Sequence, residues 1–133
     1  MTHIYKTKTP IFKTSLAFIY YTDPKDVKLC LEGDEDLKDL QEFSEDLEEG
    51  PAVVLTQPGT NAVIAFFRLG EAELDRFLIT HEAMHAAWGT VRGIGVPSID
   101  DSEEVIAYLQ EYYTELFEQQ YKEATAAEQK FAL

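Results

Sequence analysis

Apolar positions recur along this chain with two different periods. In the first, strand-like period, Thr2 to Thr9 sets Ile4 and Tyr5 among lysines and threonines, Pro10 interrupts, and Ile11 to Tyr21 is rich in Phe, Ile and Tyr. Pro51 to Thr56 and Ala62 to Leu69 are further β-rich runs joined by Gln57-Pro58-Gly59-Thr60-Asn61, which predicts a hairpin. The second period is helical. Leu37, Leu40, Phe43 and Leu47 recur every three or four residues among acids and predict an amphipathic surface helix over Asp34 to Glu49, packed on the sheet. From Glu71 to about Arg92 the stripe is Leu74, Phe77, Leu78 and Trp88, and a last helix is predicted from Ser102 to about Ala126, with a fraying tail beyond. The pattern as a whole predicts an α+β fold: a small, mostly antiparallel sheet, one acidic helix, and two C-terminal helices. Residues 1–50 would hold the N-terminal strands and acidic helix, 51–70 the hairpin, and 71–126 the helix pair.

Composition narrows the setting. With 133 residues, 45% hydrophobic and 12% aromatic, the chain has material for one globular core, so a single domain over 1–133 is expected. No apolar run approaches the roughly 20 residues that span a bilayer, and no signal-peptide pattern opens the sequence. Cys30 is the only cysteine, so an intramolecular disulfide is impossible and a reducing, cytoplasmic location is expected. Flanked by Leu29 and Leu31, it reads as a small buried apolar residue. The net charge of −14 argues against a nucleic-acid backbone or an anionic membrane as partner and leaves room for a basic protein. It also suits an acidic, DNA-mimicking inhibitor. Lys6, Lys8 and Lys13 read as the solvated face of an edge strand, and His3 as part of a mobile terminus rather than a ligand.

Candidate chemistry sits in the penultimate helix, where His81-Glu82-Ala83-Met84-His85 places two imidazoles one turn apart. Such a pair can hold a single tetrahedral Zn2+, and Glu82, about 100° round the helix, reaches the attacking water instead of the metal. Both histidines fall on the apolar stripe, so they are expected to face the interior, where a shared metal satisfies two imidazoles at once. The competing reading is a pair of buried, hydrogen-bonded helix histidines. Beyond the break at Gly93-Ile94-Gly95-Val96-Pro97 the chain restarts with cap-forming residues followed by Glu103 and Glu104. Glu104, nineteen positions after His85 and with small Ala107 one turn on, is the candidate third ligand, and Glu103 is the off-by-one alternative. Tyr108 and Glu111 lie one and two turns further on the same face, and Tyr108 or Tyr112 would serve as a hydrogen-bonding partner of the ligand or an oxyanion donor.

Over residues 60 to 120 these motifs resemble the zincin metallopeptidases of the branch with a glutamate third ligand. The related branch with a third histidine after H-E-x-x-H-x-x-G is excluded by Trp88 and Val91. The resemblance implies Zn2+ on His81, His85 and Glu104, Glu82 as general base, and an edge strand before the metal helix along which an extended peptide or protein substrate lies. A zinc metallopeptidase is therefore expected, with iron, cobalt or manganese able to occupy similar ligands. An inactive zincin-like binding or structural module is the alternative.

Overall fold

Strand β2, Ser15–Tyr21, reads SLAFIYY and is apolar on both faces, so it is stable only with layers packed above and below it. The computed structural model, which describes residues 1–10, 12–40, 47, 50–56, 60–70, 76–95 and 99–132, places this strand in the interior of a four-stranded sheet. The sheet order is β1-β2-β4-β3, with β1 at Thr2–Lys8, β3 at Ala52–Thr56 and β4 at Ala62–Arg68. Two ladders are antiparallel: β1 on β2, and the expected β3–β4 hairpin, in which Val54 faces Ala65. The central β2–β4 ladder is parallel, with Ser15 opposite Ala62 and Tyr21 opposite Arg68.

Alternation along the strands sorts the core into two layers. Leu16, Phe18 and Tyr20 of β2 join Val63, Ala65 and Phe67 of β4 beneath the C-terminal helices. On the other face Ala17, Ile19, Tyr21 and Phe66 pack against Val27, Leu31, Leu37 and Leu47. Val27 and Leu31 belong to α1, Pro24–Glu32, which sequence periodicity did not single out. Asp23 caps it by accepting a hydrogen bond from the Lys25 amide at 3.0 Å, and Pro24 opens its first turn. The acidic helix expected over Asp34 to Glu49 is corrected in its described part: Asp34 to Leu37 form a turn closed by backbone hydrogen bonds, and a 3-10 turn follows to Leu40. Residues 41–46, 48 and 49 lie outside the described residues. Of the apolar positions expected there, Leu37 and Leu47 are buried, each 3% exposed, Leu40 is partly buried against them, and Phe43 lies outside the described residues.

Helices α2, Arg76–Gly93, and α3, Ile99–Ala132, cover the first face and pack on each other. Small residues let them settle closely: Ala83, Ala86, Ala87 and Gly89 are all buried on α2. The helix sits so near the β3 end that a Cβ added at Gly89 would lie 2.0 Å from Thr56 Cγ2. The predicted fraying after Ala126 is a second correction, since α3 continues to Ala132 and Glu128 accepts a hydrogen bond from His3 Nε2 at 2.9 Å. That contact also corrects His3, which is a strand residue of β1 with a largely buried ring. Lys6 stands on the edge strand as expected, paired with Asp34 and Asp36, while Cys30 is half-buried where full burial was predicted. Among the described residues no helix is long and apolar enough to cross a membrane.

Candidate metal centre on helix α2

The buried stripe of α2 is Ile79, Glu82, Ala83, Ala86, Ala87, Thr90 and Val91. It differs from the stripe of large apolar residues read in the sequence: Phe77 is 89% exposed, Leu78 and Trp88 are half-buried, and Leu74 lies outside the described residues. His81 and His85 therefore face solvent, contrary to the inward orientation expected for them. The physical reason is steric. A helix lying this close to a sheet and a second helix buries alanine, glycine and threonine, and the bulky rings turn outward.

On that outward face the two imidazoles converge. Their Nε2 atoms are 3.2 Å apart and the rings meet edge to face with centroids 4.8 Å apart. Two nitrogens bound about 2.0–2.1 Å from one tetrahedral zinc lie about 3.3 Å apart, so the pair fits two corners of such a site. The same spacing suits a hydrogen bond between neutral imidazoles, one Nε2–H donating to the other ring. Glu82 points the other way and is 7% exposed. Burial raises the affinity of its carboxyl for a proton above the ordinary carboxylate range, and the electrostatic influence of nearby His85 and His81 pulls it partly back. Among the described residues no hydrogen bond or ion pair reaches that carboxylate.

The carboxylates proposed to complete the site stand apart. Glu103 and Glu104 are exposed in the second turn of α3, and among the described residues no third His, Cys, Asp or Glu joins His81 and His85 in a metal-holding group. Tyr108 is 45% exposed. Tyr112 is half-buried against the core and its ring lies 5.5 Å from that of Tyr113; burial, then the Tyr108 phenolate, keeps its hydroxyl protonated above the ordinary range. Neither tyrosine has a hydrogen bond to the histidine pair among the described residues.

Two features escaped the sequence reading. Thr90 donates to the Ala86 carbonyl at 2.9 Å, which leaves its oxygen to accept from Tyr113 across 2.6 Å, so a buried hydroxyl pair ties α2 to α3. Their separation of 23 positions carries no local signal. The strand expected at the sheet edge beside the metal helix is β3, which packs against α2, whereas β4, which immediately precedes α2, lies inside the sheet. Comparison of the chain with protein-family models, with curated proteins and with solved structures finds no match in any of the three.

Proposed function

We propose that the protein is a zinc-dependent hydrolase acting on peptide bonds. The observation that carries the reading is the 3.2 Å convergence of His81 and His85 Nε2 on one turn of α2. Zinc bound there would supply a Lewis acid that polarises a carbonyl and makes water nucleophilic near neutral pH. Glu82, next to His81 in sequence and electrostatically coupled to both histidines, is the proposed general base: turned out of the core toward the histidine face, its carboxylate would take a proton from the attacking water and return it to the departing amine. Glu104 is proposed as the third protein ligand, with Glu103 as the alternative, recruited from the exposed face of α3 when the ion binds.

The inward orientation of Glu82 favours a second reading, in which the histidine pair holds zinc as a structural or binding module without turnover. Metal analysis of protein purified without chelator, followed by peptide-library cleavage, decides between them. The hydrolase reading expects about one zinc per chain, lost in His81→Ala and Glu104→Ala. It also expects cleavage that falls about 10²- to 10⁴-fold in Glu82→Gln at unchanged zinc content. Zinc retained by Glu104→Ala and lost from Glu103→Ala moves the third ligand by one position. Stoichiometric zinc without cleavage leaves the module, and protein that cannot be loaded ends both readings.

A further inference from the structure

On the face of the sheet away from α2 and α3, Ile19, Tyr21 and Phe66 are packed under Val27, Leu31, Leu37 and Leu47. Toward the Ser15 end of that face the strand residues are smaller, and a cleft of about 490 Å³ opens beside Leu37. Strand register builds it in two rows. Lys8, Ser15 and Ala62 lie side by side across β1, β2 and β4, and Lys6, Ala17 and Ile64 form the next row. Alternation puts both rows on the face of Ile19 and Phe66. The strand ends beside the cleft are tied together through Asn61. Its carbonyl accepts from the Ser15 amide at 3.0 Å, its Oδ1 accepts from the Thr14 hydroxyl at 2.7 Å, and its side-chain amide donates to the Phe12 carbonyl at 3.0 Å. A floor held this way is in place before anything binds, which lowers the cost of occupying it.

Volume and lining select the occupant. The cleft falls within the range of about 300–1,000 Å³ that holds small organic molecules. Ala17, Ala62, Ile64 and Leu37 give it an apolar interior. Lys6 is already held by Asp34 at 2.7 Å and by Asp36 at 3.1 Å. Lys8 is exposed and in no ion pair among the described residues, although the chain carries 25 acids against 11 lysines and arginines. One spare cation at the rim of an apolar cleft suits one negative group on an apolar body. A second negative group would meet Asp36, whose side chain is 79% exposed at the cleft, and the surplus negative charge of the whole chain. We propose that the cleft binds a small aliphatic monocarboxylate, with its hydrocarbon on Ala17, Ala62 and Ile64 and its carboxylate on Lys8 Nζ. The site lies across the sheet from the histidine pair, so it is independent of the metal reading.

Binding is measured on the full chain in the presence of a metal chelator, by titration calorimetry and by amide correlation spectra. The probes are butanoate, hexanoate, octanoate, the neutral octan-1-ol and the dicarboxylate octanedioate. Octanoate should bind and shift the amide signals of Lys8, Ser15 and Ala62. Affinity should rise by up to about fourfold per added methylene, the gain from burying one such group. Octanedioate should bind more weakly than octanoate. Lys8→Met should weaken octanoate about two- to fivefold, the size of an exposed ion pair, and leave octan-1-ol unchanged. Ala62→Phe, at a half-buried position, and Ser15→Phe, at an exposed one, should each fill the cleft and weaken octanoate about tenfold or more at unchanged circular dichroism. Absence of octanoate binding overturns the proposal, as do signal shifts confined to other parts of the sheet. Full binding by either filled variant in its folded state also overturns it. Octanoate that binds no better than octan-1-ol and ignores Lys8→Met removes the carboxylate from the site and overturns it equally.

Discussion

At the scale of single residues, the contact between His3 and Glu128 shows how far tertiary partners lie from anything a local pattern contains: 125 positions separate them. A histidine near one end of a chain and a glutamate near the other each look dispensable. Joined at 2.9 Å, they fasten the edge strand β1 to the last turns of α3. Burial alone would lift the Glu128 carboxyl, but the hydrogen bond from His3 and the Met1 ammonium outweigh it and hold the carboxyl below its ordinary value. A carboxyl with a depressed pKa in the folded state contributes stability that is present above its unfolded pKa and is lost as pH falls through the folded one. Glu128→Gln should therefore cost about 0.5–1.5 kcal/mol in urea unfolding near neutrality, the range for a partly exposed charge-assisted pair. In acid the variant and the wild type should converge. A deficit of the same size at both pH values would mean that the side chain acts through packing.

Between elements, α2 lies close against the β3 end of the sheet at Gly89. Replacing a helix-interior glycine by alanine usually gains up to about 1 kcal/mol. Here the new methyl would meet Thr56 Cγ2 at 2.0 Å and Thr56 Cβ at 2.9 Å, so a side-chain rotation cannot clear it and the helix must shift. The clash wins, and Gly89→Ala should destabilise by about 1–3 kcal/mol. Truncating the partner with Thr56→Ala should reduce that cost, because the two sites couple. A Gly89→Ala protein as stable as wild type would mean that the helix is not held against the strand.

This close packing also explains what was legible in the sequence at the level of elements. β2 and the β3–β4 hairpin showed themselves because strands covered on both faces are apolar almost without interruption. α1 did not, since its nine residues bury only Val27 and Leu31. Its signal was the Asp23-Pro24 cap and not its periodicity. For the candidate site, the one-turn spacing of His81 and His85 was readable and their orientation was not. The buried stripe of α2 consists largely of Ala83, Ala86, Ala87, Gly89 and Thr90, which weigh little in a hydrophobic pattern, whereas exposed Phe77 and half-buried Trp88 weigh heavily. A helix chosen for close approach thus presents its most hydrophobic letters to the wrong side.

For the molecule as a whole, charge is the property that no single contact reveals. Eleven lysines and arginines against 25 acids leave −14 on a chain of 133 residues. The lysine and arginine ion pairs among the described residues, Lys6 with Asp34 and Asp36, Lys38 with Glu35, and Arg76 and Lys122 with Glu118, use cations that are all exposed. Pairs of that kind are worth about 0–1 kcal/mol each and weaken with salt. The repulsion they leave uncancelled acts over the whole surface, and folding concentrates it by drawing the acids together. Added salt therefore has two opposed effects, and the excess of acids decides which is larger. Raising NaCl from about 0.01 M to about 0.15 M shortens the screening length from about 30 Å to about 8 Å, so repulsion between distant carboxylates is removed while contacts at about 3 Å are only softened. The melting temperature of the zinc-free protein should rise over that range and then level off, as followed by circular dichroism at neutral pH. A melting temperature that falls with NaCl would show that the ion pairs outweigh the excess charge. In that case the acidic surface is compensated locally by its ion pairs.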